Sequence, residues 1–152
     1  MKKLITTAIA ALLFTSSSAV FAADCPDFTG TFQLSTDSTV TLTLTQDHCN
    51  TVTFSYFYSS NGETLGKVYP LDNVRRQTFE DKDLIVYETS GVKDEALVNL
   101  VEDFDKASAT TTTATSASTI DSKGNLDNKD VYYDVNGKVT ESQDNYFVRV
   151  AQ

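Results

Sequence analysis

The sequence predicts an all-β protein, an antiparallel up-and-down β-barrel of about 8–10 strands. Two patterns carry that expectation. Apolar and polar residues alternate with period two in run after run, as in "TVTLTLTQ" at 39–46, where Val40, Leu42 and Leu44 share one face and threonines the other. Turn signals separate these runs about every 8–14 residues with short connections, which describes a meander, and closing a meander into a barrel removes its exposed edges.

Residues 1–22 read as an export signal: Lys2 and Lys3 make a positive start, Leu4 to Phe14 an apolar run, and Val20-Phe21-Ala22 a small-residue cleavage site. Cleavage there leaves 130 of the 152 residues, a single domain over 23–152 that ends up periplasmic or extracellular. The apolar run falls short of the roughly 20 residues a bilayer-spanning helix needs, so no transmembrane anchor is expected. Cys25 is preceded by Asp24, where lipid attachment calls for a small neutral side chain, and lipidation is not expected either. Losing Lys2 and Lys3 takes the formal charge from −9 to −11, which repels phosphate backbones and excludes nucleic acid as a natural partner.

Phe28, Phe32 and Leu34 fall on one parity, and a hairpin around "STDS" sets residue 34 opposite 40 and 32 opposite 42. The same register sets Cys25 opposite Cys49. In an oxidising compartment these two are expected to form a structural disulfide rather than a redox or catalytic pair.

"TVTFSYFY" at 51–58 is the third strand, with Val52, Phe54, Tyr56 and Tyr58 on one face and Phe57 on the other, and "SSNG" turns the chain. "TLGKVYPL" and "NVRRQTFE" read as shorter, more polar strands interrupted at Pro70, suited to a sheet edge or corner. "EDKD" then leads into the β-branched run "LIVYET".

Residues 94–105 fit two patterns. Ala96, Leu97, Leu100, Val101 and Phe104 make a helical stripe after Asp94 as cap, whereas Ala96, Val98, Leu100 and Phe104 fit a strand; one short helix is the slightly preferred reading. The tract "ASATTTTATSAST" at 107–119 lacks Pro and Gly and is rich in Thr, which favours a strand over a linker. "DSKGN" marks a turn, and Asn136-Gly137 marks the last hairpin, which ends in "NYFVRV".

The chemistry of catalysis is missing from this pattern, and no enzyme activity is expected. His48 is the only histidine and sits in a turn beside Cys49; no Gly-x-Ser-x-Gly nucleophile motif occurs. The sequence shows no zinc-ligand spacing, and Asp121, Asn125, Asp127 and Asp130 lack the spacing of a calcium loop, so turn chemistry accounts for them and no metal or cofactor is expected.

Gly30-Thr31-Phe32 on the first strand and Arg149 near the end of the last resemble the lipocalin and fatty-acid-binding (calycin-type) group of small barrels. The resemblance implies that Gly30 bends the strand where the barrel closes, that Phe32 plugs one end, and that Arg149 lies over that ring as a cation–π partner. Lipocalins usually carry Trp where Phe32 stands, and this chain has no Trp. Simple parity sets Arg149 on the face opposite Val148 and Val150, which calls for either a bulge or a surface position.

It also implies a function: a non-catalytic barrel that binds a small hydrophobic or amphipathic ligand inside, with Phe54, Tyr56, Tyr58 and Arg149 as candidate contacts. Small side chains of the 107–119 tract, if inward-facing, leave space for such a ligand. The alternative is a filled barrel acting through its surface, as an inhibitor or as an envelope or protein-interaction module.

Overall fold

Alternation of apolar side chains along each run is realised as ten antiparallel strands in a computed structural model that describes residues 25–150. The export signal expected over 1–22 lies outside the described residues. The strands are β1 (Gly30–Leu34), β2 (Val40–Asp47), β3 (Thr51–Tyr58), β4 (Glu63–Pro70), β5 (Arg76–Glu80), β6 (Leu84–Lys93), β7 (Ala96–Asp105), β8 (Thr110–Ile120), β9 (Leu126–Tyr133) and β10 (Val139–Arg149). They form one sheet in the order β4-β3-β2-β1-β10-β9-β8-β7-β6-β5. Each strand therefore pairs with its successor except at β4 and β5, and the first strand pairs with the last. The result is a curled half-barrel of up-and-down type whose seam lies between β4 and β5.

The first hairpin has the register its sequence parity demands, with Phe32 opposite Leu42 and Gly30 opposite Leu44. That parity carries from strand to strand, because antiparallel partners project to the same face, and it breaks only at the register shifts between Val139 and Glu141 on β10 and between Gln77 and Phe79 on β5. Phe28, Phe32, Leu42, Leu44, Val52 and Leu126 are fully buried, and Phe54, Leu71, Leu97 and Phe147 complete the same cluster. Each such side chain contributes roughly 1.5–3 kcal/mol when fully buried. Phe57, on the opposite parity, is 43% exposed.

The polar strands β4 and β5 are the sheet edges, as Pro70 and their composition suggested, although β4 is as long as β2 and β3 and of the two only β5 is short. Side chains and the linking segment bridge the seam instead of a strand ladder. Lys67 of β4 pairs with Glu88 of β6, and Asn73 N–H donates to Ser90 O at 2.9 Å. Asn73, at φ 57°, lays its side chain on Gly91, where any Cβ would overlap it.

The short helix preferred for 94–105 is not formed; these residues are the β6–β7 turn and strand β7. Asp94 and Glu95, at φ 49° and 64°, make the two-residue hairpin turn, so Asp94 is a turn residue and not a helix cap. Ten consecutive pairs then run from Lys93–Ala96 to Leu84–Asp105. Pairing with the β-branched strand β6 on one side and Thr-rich β8 on the other overrides a local helical stripe. Leu97 faces the core cluster, while Leu100 and Phe104 lie on the other face.

Candidate functional site

Inward positions change character around the sheet. On β3 and β4 they are aromatic: Phe54 and Tyr56 stack at 6.4 Å between centroids, and Tyr69 meets Phe54 edge-on at 5.2 Å. On β6 to β10 the same face turns polar above Leu97 and Leu126. Ser90 Oγ donates to Asn99 Oδ1 (2.9 Å), and Ser116 and Ser118 both donate to Asn128 Oδ1 (3.0 and 2.7 Å). Asn128 Nδ2 and Asn145 Nδ2 donate in turn to Asp130 Oδ2 (3.1 and 3.5 Å).

Between these walls lies a cavity of about 210 Å³, with Phe54, Tyr56 and Tyr69 on one side and Ser90, Ser116, Ser118, Asn99, Asn128 and Asp130 on the other; Leu97 and Tyr132 also line it. The small serines of β8 leave the room. Burial pushes both the Tyr56 and Tyr69 hydroxyls up to about 12, with further contributions from nearby acidic groups, Asp130 among them for both. Neither hydroxyl hydrogen-bonds to another described residue, so both present a donor to whatever occupies the cavity.

Of the residues singled out by sequence, Phe54 and Tyr56 line this cavity. Tyr58 does not; it sits further along β3, opposite Val40 and Glu63. Arg149 also lies outside it, with its guanidinium 4.7 Å from the centre of the Phe32 ring, Nε donating to Gly124 O (2.7 Å) and Nη1 to Thr29 O (2.9 Å). No bulge is needed for this. Phe147 is the inward residue of the last strand and Val148 and Val150 are exposed, so Arg149 shares the face of Phe147 and pairs with Phe32. Gly30 makes the arrangement possible, because a Cβ there would collide with the guanidinium and stand 2.9 Å from Phe32 Cζ.

Cys25 and Cys49 are adjacent thiols and are not joined. Burial, and then the neighbouring Cys49, push the Cys25 thiol up to about 11. Gln46 organises this corner: its Oε1 accepts from Phe28 N–H (3.0 Å), and its Nε2 donates to Pro26 O (3.1 Å) and His48 O (2.6 Å). His48 is a turn residue at φ 48° with an exposed ring bonded to Asp47. Asp121 caps its turn by accepting from the Asn125 N–H, the Tyr146 hydroxyl and the Lys123 N–H, which hold its carboxyl down at about 2. Asp127 and Asp130 belong to β9 and not to that turn. Among the described residues no three His, Cys, Asp or Glu side chains converge to hold a metal ion, and no helix is long and apolar enough to cross a membrane.

Tyr69, Asn99, Asn128 and Asp130 are site residues that sequence reasoning passed over. Their signal was parity: Asn99 alternates with Leu97, and Asn128 and Asp130 with Leu126, on the strand faces that carry the core. Comparison with known proteins finds no family model and no curated protein that matches this chain.

Proposed function

We propose that this protein is an exported, non-catalytic, lipocalin-like barrel that binds a small amphipathic molecule in its interior. The observation that carries the reading is the cavity itself, with aromatic rings on one wall and hydroxyl, amide and carboxylate groups on the other. At about 210 Å³ it is smaller than the ~300–1,000 Å³ of drug-sized sites, which favours a small molecule over a long acyl chain. Titration of a hydrophobic fluorescent probe tests this. Binding should saturate in the wild type, weaken in Tyr56→Leu and stay unchanged in Tyr58→Leu, all three folded by circular dichroism; no saturable binding to the wild type would count against an interior site.

Export also implies that Cys25 and Cys49 become a disulfide after passage into an oxidising compartment. Their adjacency supports it, and closing a loop of about 25 residues contributes on the order of 3 kcal/mol in the chain-entropy picture. Thiol labelling of the denatured, unreduced protein from its native compartment should be negligible; two reactive thiols would exclude the bond. A second reading, action through the surface on a protein partner, is favoured by the edge strands, where Leu65, Val68 and Phe79 are each at least half exposed. Native mass spectrometry separates the two by what co-purifies, a small molecule or a protein.

A further inference from the structure

The cavity is not electrically neutral. Asp130 is the only charged side chain that lines it, and no salt bridge among the described residues engages it. Its Oδ2 takes both asparagine hydrogen bonds, from Asn128 and Asn145, and no hydrogen bond among the described residues reaches Oδ1. Lys67, across the seam, is committed to Glu88, and its ammonium lies 5.2 Å from the Tyr69 ring centre, so that ring already serves as a cation–π surface on one side. A neighbouring depression of about 390 Å³ shares Tyr132 with the cavity and is lined by three more acids, Asp103, Asp134 and Glu141. Acidic walls of this kind concentrate cations and repel anions.

We propose that the cavity selects a small organic cation, an amine whose ammonium group sits against Asp130 while its apolar body lies on Phe54, Tyr56 and Tyr69. The assignment rests on the interior-binding reading and deepens it. A carboxylate supplies the charge partner, the tyrosine faces and hydroxyls supply cation–π and hydrogen-bond contacts, and the stacked rings supply the apolar surface. A carboxylate-headed ligand of the same size would meet Asp130 as a like charge and find no cationic side chain in the lining.

The test uses three probes with one aromatic body and different heads: 2-phenylethylamine, 2-phenylethanol and phenylacetate, titrated by calorimetry into the mature protein, with the fluorescent probe as a fourth ligand. The amine should bind at least tenfold more tightly than the alcohol, and phenylacetate should not bind measurably. In Asp130→Asn, which keeps the size and the capacity for hydrogen bonding, the amine should lose at least tenfold in affinity and fall to the level of the alcohol. The wild-type ranking stands even if that variant fails to fold. Equal binding of amine and alcohol, tighter binding of phenylacetate, or an Asp130→Asn variant that keeps its preference for the amine overturns the cation assignment while the fluorescent probe still reports a site. Failure of all four ligands to bind overturns it together with the interior-binding reading.

Discussion

Phe32→Ala is expected to lower the free energy of unfolding by about 3–5 kcal/mol, the range for truncating a large aromatic in a packed core. Phe32 is fully buried, paired on one side with Leu42 and on the other with Arg149, and its ring carries the guanidinium. Removing the ring leaves a cavity among Phe28, Leu42 and Leu44 and also takes the cation–π surface from Arg149. Urea denaturation at constant m-value would read the loss directly. Phe57→Ala is the matched control, since it removes the same atoms from an exposed position on the opposite face of β3 and should change stability by less than about 1 kcal/mol. A Phe32→Ala cost no greater than that of Phe57→Ala would mean that this ring is not part of the core.

How far such a result could be anticipated from sequence depends on which interactions are local. The β1–β2 register was legible because both strands alternate cleanly and a short turn fixes their phase. The edge positions of β4 and β5 were legible because Pro70 and the polar composition disfavour a central strand. Residues 94–105 were not. Leu97, Leu100, Val101 and Phe104 satisfy a helical period by coincidence, and what decides the matter is a long partner strand on each side, β6 and β8, which no local window contains. A two-residue turn built from Asp94 and Glu95 rather than Asn-Gly gave little warning, since neither residue strongly signals a left-handed backbone.

The site was half legible for a related reason. Phe54 and Tyr56 stand out because large aromatics on a core parity are conspicuous, and the space at Ser116 and Ser118 follows from small side chains on the inward face of β8. Asn99, Asn128 and Asp130 share that face, but polar residues on a strand are ordinarily read as solvent-facing. Here the inward face of β7 to β9 is apolar at Leu97, Ile120 and Leu126, which pack in or against the core, and polar at Asn99, Ser116, Asn128 and Asp130 further along the same strands. That division becomes visible only once the strand pairing is known. Tyr58, by contrast, has the right parity but the wrong height along β3, and parity carries no information about height.

Gly30, Phe32 and Arg149, which meet at one point, should behave as a single unit, which a double-mutant cycle can measure. Gly30→Ala is expected to destabilise by about 1–3 kcal/mol as an overpacking change, because the new Cβ meets the Arg149 guanidinium and the Phe32 ring together. The guanidinium cannot swing aside freely: it is held by the carbonyls of Gly124 and Thr29, and the Arg149 backbone N–H is tied to Asn125 Oδ1. In an Arg149→Ala background the principal obstacle is gone, and the Phe32 Cζ contact at 2.9 Å still opposes the methyl group. Gly30→Ala should then cost less than in the wild type by about 0.5–3 kcal/mol, the coupling expected of residues in direct contact. Arg149→Ala alone should destabilise as well, since it removes two hydrogen bonds and the cover over Phe32. Additive costs would show that Gly30 and Arg149 act independently, and the glycine would then owe its place to the curvature of β1 rather than to the side chain laid across it.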